Sequence, residues 1–180
     1  LLQNNRRDTY RSAQISFRHS FSDRTALSCS YTRSSTRTNQ VFDYSLETLV
    51  FSPQESGPLT WDAPNRFLSS GWMPAPAWDL FFSYFFEYRS GFPYSRVNEQ
   101  QQLIGQANSL RFPDFASLNL GVEKRVRIFT RTWAVRLTIL NATNNSNYDS
   151  VNNNVDSPNF MRLAGAPSAA IRPCPRWPPS

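Results

Sequence analysis

Apolar and polar residues alternate along this chain in runs separated by turn-forming residues, as in strands whose successive side chains point to opposite faces. From Arg11 to Phe21 the odd positions Ala13, Ile15, Phe17 and Phe21 are apolar and the even positions Ser12, Gln14, Ser16, Arg18 and Ser20 are polar. A polar turn at Ser22-Asp23-Arg24-Thr25 leads into a second run, where Leu27, Cys29 and Tyr31 alternate with Ser28, Ser30 and Thr32. These two runs predict a hairpin. A third strand is expected over Asn65 to Met73, although Phe67, Leu68, Trp72 and Met73 do not share one parity and its faces stay unassigned. After a turn at Pro74-Ala75-Pro76-Ala77, the residues Trp78, Leu80, Phe82, Tyr84, Phe86 and Tyr88 predict a fourth strand with an unbroken aromatic face. Leu118, Leu120 and Val122 mark a fifth. A short basic turn around Val126 to Arg131 precedes a sixth, marked by Trp133, Val135, Leu137 and Ile139.

The connections between these strands run short, long, short, long, short, long, with the long ones near Ser34 to Ala63, Ser90 to Asp114 and Asn141 to Pro158. Regular alternation of this kind predicts an all-β, antiparallel up-and-down transmembrane β-barrel, with short periplasmic turns and long outer loops. A Greek-key sandwich scatters its long connections less regularly. Bacterial single-chain barrels have an even number of strands from about 8 upward, so the roughly six or seven strands expected here are part of a larger wall. The start, Leu1-Leu2-Gln3-Asn4-Asn5-Arg6-Arg7, lacks an initiator Met and a signal segment and is read as the continuation of a longer chain.

Composition refines this picture. No run approaches the 18 or so apolar residues that a membrane helix requires, which leaves membrane strands as the spanning alternative. The net charge of +6 is carried almost entirely by arginine, Lys124 being the one lysine. Because the arginines are dispersed and form no basic stripe, a nucleic-acid partner is not expected. Cys29 and Cys174 lie far apart and suggest neither a disulfide framework nor a metal site.

By parity the lipid-facing residues are Ile15, Phe17, Leu27, Tyr31, Leu80, Phe82, Tyr84, Leu118, Leu120, Val122, Val135, Leu137 and Ile139. Phe21, Trp72, Trp78, Tyr88 and Trp133 lie near strand ends, where a membrane barrel carries its aromatic girdles. A nucleophile needs a base, and the one histidine, His19, shares the apolar parity. The carboxylate pairs Asp43 with Glu47 and Asp149 with Asp156 lie in loops without a supporting pattern. No catalytic residue, cofactor or metal is therefore expected, and the chain is read as a non-enzyme. Trp61, Phe92, Tyr94 and Tyr148 are placed in loops to contact a ligand, without identifying it. The sequons Asn141-Ala142-Thr143 and Asn144-Asn145-Ser146 read as hydrophilic loop.

Four segments in order carry a resemblance: Ala63-Pro64-Asn65-Arg66-Phe67-Leu68-Ser69-Ser70-Gly71, Tyr88-Arg89-Ser90-Gly91-Phe92-Pro93-Tyr94, Leu118-Asn119-Leu120-Gly121-Val122-Glu123-Lys124-Arg125 and Leu137-Thr138-Ile139-Leu140-Asn141-Ala142-Thr143-Asn144. Over about residues 25–167 the chain resembles the C-terminal barrel of TonB-dependent receptors, including the subgroup with carboxypeptidase-regulatory-like N-terminal domains. The resemblance implies a wide barrel in the outer membrane of a Gram-negative bacterium, in contact with its lipid. Further barrel strands, a plug and coupling to the TonB complex would come from an N-terminal region outside this sequence. The ligand would be a siderophore, carbohydrate, peptide or similar. A passive pore and a soluble β-sandwich adhesion domain are the competing readings. Residues 1–166 form the expected barrel portion. Residues 167–180 form an aberrant proline-rich tail that departs from the family's aromatic-ended final strand and suggests a frameshift, since each proline removes a ladder donor.

Overall fold

The β-branched, aromatic and serine-rich runs form strands because a pleated backbone accommodates side chains of either character on its two faces. The structure, a computed structural model, describes residues 6–22, 25–39, 56–75 and 78–165. The strands in chain order are β1 (Asp8–Ser22), β2 (Thr25–Thr38), β3 (Asn65–Pro74), β4 (Leu80–Arg89), β5 (Pro93–Tyr94), β6 (Leu110–Arg111), β7 (Phe115–Ile128), β8 (Arg131–Ile139), β9 (Ser150–Val151) and β10 (Leu163–Ala164). The protein is all-β and antiparallel, and no helix occurs among the described residues.

Six strands form one sheet in the order β1-β2-β3-β4-β7-β8, each antiparallel to its neighbour. The small β5–β6 hairpin lies within the connection from β4 to β7, and β9–β10 lies in the segment after β8. Among the described residues no pairing joins β1 to β8, so the sheet is open with an edge at each. The short connections β1–β2, β3–β4 and β7–β8 lie at one end and the long connections at the other.

Register assigns the faces, including the one that parity left open. One row of facing residues runs His19, Leu27, Gly71, Tyr84, Leu120, Ile139, and the rows on either side on the same face carry Phe17, Cys29, Ser69, Phe86, Leu118 and Met73, Phe82, Val122, Leu137. Ile15 pairs with Tyr31 and so through Phe67 to Tyr88, while Leu80 aligns with Lys124 and Val135. Every residue assigned by parity to the apolar side thus lies on one face. On β3 that face holds Phe67, Ser69, Gly71 and Met73. Trp72 aligns with Ala26 and Ser83 on the opposite face, so it does not share a face with Phe21 and Trp133 at the turn end or with Tyr88 at the loop end. The opposite face carries mostly small polar residues such as Ser16, Ser30, Ser28, Ser70 and Thr138, with Leu68, Trp72, Phe81 and Phe85 among them on β3 and β4, and is crossed by the ion pairs Arg66–Glu87 and Glu123 with Arg125 and Arg136.

Two boundaries differ from the sequence reading. β7 continues to Ile128 and β8 begins at Arg131, leaving Phe129 and Thr130 as the whole turn. The alternation that continues through Val126 and Ile128 was masked by the basic residues between them. Trp78 and Asp79 take left-handed backbone angles in the β3–β4 turn (φ 66° and 49°), so the aromatic face of β4 starts at Leu80. The proline-rich tail from 167 and the loop pair Asp43 and Glu47 lie outside the described residues.

Among the described residues the large sheet has no second layer over either face. Among the described residues the buried apolar side chains are Leu59, Val97 and Ala107, all in the long connections, whereas Ile15, Val135 and Leu137 on the sheet are 75%, 67% and 57% exposed. Interstrand fit is instead made by small residues. A Cβ on Gly71 would lie 2.7 Å from Cε1 of Tyr84, directly across the β3–β4 pair, and 3.1 Å from the Ala26 carbonyl oxygen. The Tyr84 hydroxyl reaches Ser69 Oγ at 2.9 Å, which fixes the ring over the glycine.

Gly71→Ala is therefore expected to destabilise the sheet by about 1–3 kcal/mol, the usual range for an over-packed contact. In urea unfolding of the chain in detergent, the added cost should shrink when Tyr84→Ser removes the ring. A cost unchanged by Tyr84→Ser would show that the ring is not the obstacle.

Candidate functional site

Backbone polar groups in a long connection need partners, and in this chain the three long connections supply them to one another at one end of the sheet. The extended stretch 57–64 runs beside the upper part of β2: Thr38 and Gly57 exchange backbone hydrogen bonds (2.9 and 3.0 Å), and Ser34 N donates to Pro64 O (2.9 Å). The connection from β4 to β7 meets the one after β8 where Val97 N donates to Asn153 O (3.0 Å) and Val155 N donates to Val97 O (2.8 Å). Val97 is 1% exposed and centres this small cap.

Asp62 is the electrostatic centre of the cap. Its side chain is 4% exposed, and Oδ1 accepts from the backbone N (2.7 Å) and Oγ1 (2.6 Å) of Thr36 on β2. Oδ2 is ion-paired with Arg111, whose guanidinium also donates to the carbonyls of Asp62 (2.9 Å) and Gly91 (3.1 Å). One guanidinium thereby clamps the stretch before β3 to the segment after β4. Burial pushes the Asp62 carboxyl upward, but the hydrogen bonds from Thr36 and Arg111 outweigh it and hold the carboxyl below its ordinary range.

Neighbouring contacts are equally specific. Ser95 Oγ and Asn108 exchange hydrogen bonds (2.9 and 3.1 Å), and Asn108 Nδ2 reaches Pro58 O (2.8 Å). Asn65 Oδ1 accepts from Tyr31 OH and Arg33 Nη1, both at 2.8 Å, while its Nδ2 donates to Ser90 Oγ (3.0 Å). Asn119 Oδ1 accepts from Asn141 N (2.9 Å), and Ala142 N donates to Leu118 O (2.7 Å). A Cβ on Gly91 would lie 1.8 Å from the Phe112 carbonyl oxygen, so only glycine allows these two backbones to meet. Asn65, Gly91, Asn119 and Asn141 each belong to one of the four segments singled out in the sequence, and all serve the loop end of the sheet.

An open cleft of about 770 Å³ lies between the cap and the β1–β2 pair, bordered by Arg11, Arg33, Arg37, Asp62, Asn108 and Arg111. With the Asp62 carboxylate already engaged, the lining is net positive and suited to anionic or hydroxyl-rich groups.

The loop aromatics have separate surroundings. Trp61 is 54% exposed and its ring approaches Tyr10 (6.4 Å). Phe92 lies under the Arg89 guanidinium (4.0 Å), and Tyr94 packs on Phe112 (5.1 Å), where burial raises its phenol. Tyr148 stays exposed. The Asp149 carboxylate lies against Gly165, whereas Asp156 Oδ2 accepts from Glu99 N (3.1 Å). The His19 ring sits between Phe17 (6.2 Å) and Phe21 (4.4 Å), and Cys29 Sγ contacts Ser69 Oγ (3.3 Å). Sequence reasoning missed the Asp62–Arg111 clamp. Its local signal was a lone acid between Pro58 and Pro64, residues that mark tight loop geometry without naming a partner.

No protein-family model, curated protein or solved structure matches this chain.

Because Asp62 binds its proton less readily in the folded chain, its contribution to cap stability is present above the unfolded carboxyl value of roughly 3.9 and fades as pH falls through the lower folded value. The protection of amides across residues 57–64 and 90–111, relative to their intrinsic exchange, should therefore fall below about pH 4, and Asp62→Asn should give that lower protection already at neutral pH. Exchange with the same pH profile in Asp62→Asn as in the parent would remove Asp62 from this role. Gly91→Ala is expected to open the same region to limited proteolysis while the pairing of β1 with β2 persists.

Proposed function

We propose that this chain is part of the wall and outer loops of a transmembrane β-barrel in the outer membrane of a Gram-negative bacterium. In this reading it belongs to a receptor of TonB-dependent type that takes up a ligand. The order of the four sequence segments, their convergence on the loop end and the grouping of all long connections at that end support the assignment.

The observation that carries it is the shape of the apolar band. On β1 the band extends from Ile15 to Phe21, and on β8 from Trp133 to Ile139, the same length on both edges of the sheet. The loop-side edge of this band keeps to one row, Ile15–Tyr31–Phe67–Tyr88, across β1 to β4 and lies about four residues nearer the turn end at Ile139 on β8. An apolar belt bounded by tight turns at one end and capped loops at the other suits a bilayer, and lipid covers such a belt without a second protein layer.

In this arrangement the serine-rich face lines the lumen and meets water or the plug, and the capped loops guard the outer mouth. The open edges at β1 and β8 pair with wall strands beyond this sequence, since unpaired backbone groups are costly in hydrocarbon. Ligand passage rests on binding and on motion of the plug driven through the TonB complex. The residues of this chain supply the channel wall, with no chemical step assigned to them.

Adjacent positions on β8 test the reading. Leu120 and Asn119 are a less clean pair, because Asn119 holds Asn141 N and its loss carries a separate cost. Leu137→Arg is expected to cost about 2–4 kcal/mol in vesicle-folded chain near the bilayer midplane, and Thr138→Arg on the polar face much less. Urea unfolding from vesicles measures both. A neutral Leu137→Arg would favour a sheet whose apolar face meets water or another domain.

A further inference from the structure

Beyond the apolar band, the face that carries Ile15 and Tyr31 changes character abruptly toward the loop end. The next rungs pair Ala13 with Arg33, Arg11 with Ser35 and Thr9 with Arg37. These residues have the same parity as the apolar ones, so Arg11, Arg33 and Arg37 emerge from the same face of the sheet, directly above its apolar part. All three arginines are exposed. No carboxylate shares these rungs, and Asp62, which borders the cleft beside the same three arginines, is engaged by Thr36 and Arg111. Asp8, the nearest acid on β1, has the opposite parity and is paired with Arg6.

We propose that Arg11, Arg33 and Arg37 form a binding surface for the phosphate groups of phosphorylated lipids in the outer leaflet. This inference rests on the membrane-wall reading above. Same-face residues are separated by about 6.6 Å along a strand, or roughly 5 Å along the membrane normal at barrel tilt. Three such steps above the last apolar row span the headgroup region, which adds about 5–8 Å to each side of the hydrocarbon, and the layer just outside it. Guanidinium groups bind phosphate oxygens through paired N–H donors.

The surroundings favour such a ligand. Arg33 is held at the rim by Nη1 donating to Asn65 Oδ1, the atom that also accepts from Tyr31 OH, and among the described residues its other N–H donors have no partner. Tyr31 thereby marks the boundary between the apolar band and the arginines, where amphipathic rings are favoured. A second open cleft, of about 750 Å³, is bordered by Arg7, Thr9 and Arg37 and gives the headgroup a concave seat. Continuity with the apolar face distinguishes a lipid from a free anion, because acyl chains descending from these phosphates would lie along Ile15, Phe17 and Tyr31.

The full chain, folded into phosphatidylcholine vesicles with and without a minor fraction of lipid A, tests the proposal. Lipids retained after mild detergent extraction are counted by native mass spectrometry, and protease protection of the wall reports insertion. Lipid A should be retained in preference to phosphatidylcholine, and the preference should weaken with salt. Combined Arg11→Gln, Arg33→Gln and Arg37→Gln should lower retention about a hundredfold, at about fivefold per arginine. Arg11→Gln alone gives the fivefold step if the triple variant does not fold. Arg18→Gln on the opposite face should change little. Equal retention by the arginine variants, or displacement of lipid A by equimolar inorganic phosphate, would overturn the inference and leave a site for soluble anions or none. Failure to insert into any vesicle would overturn the wall reading too, whereas insertion without headgroup preference overturns only this proposal.

Discussion

Main-chain hydrogen bonding between neighbouring strands holds this fold, because among the described residues the large sheet has no packed interior to do so. The side-chain period of two then fixes everything else: a slip of one residue in any pair would send that strand's apolar residues to the serine-covered face. Side chains reinforce the register at points where only one fit exists. Tyr84 lies over Gly71 on one face, and on the other Ser83 Oγ occupies the space that a Cβ on Gly121 would take. Such pins select one alignment without requiring the large apolar burial that soluble domains use.

The two faces place opposite demands on their surroundings. The polar face resolves its charges locally, with Arg66 and Glu87 near the loop end and Glu123 between Arg125 and Arg136 toward the turn end. The other face leaves Ile15 and Phe17 exposed at one edge and Val135 and Leu137 at the other, with Tyr31, Met73, Phe82 and Leu120 exposed on the strands between them. Exposed apolar area of that extent marks a contact surface. The sharp transition from Tyr31 to Arg33 defines where that surface stops.

Much of the sheet was legible because alternation is local. Ile15, Phe17, Leu27, Leu120 and Leu137 could be placed on a common side from parity and hairpin turns alone. β3 was not legible, because adjacent apolar pairs at Phe67–Leu68 and Trp72–Met73 cancel the alternation; only its pairing with β2 and β4 assigns them. The small-residue fit of Gly71 under Tyr84 was equally hidden, since it depends on cross-strand register. Still less of the cap could be read. Asp62, Arg111 and Thr36 have no shared periodicity, and their partnership follows from the paths of two connections that carry no regular pattern.

The separation in sequence between partners also sets an order of events. Hairpin neighbours such as Ile128 and Arg131 meet after closing a very short loop, whereas Asn153 reaches Ser95 across 58 positions and Asp156 reaches Glu99 N across 57. Loop-closure entropy delays contacts of the second kind until the strands that anchor them are in place. The cap is therefore the last part of this chain to assemble. Held mainly by polar contacts around one small buried centre at Val97, it is also a separate cooperative unit that can open while the strand ladder beneath it remains intact.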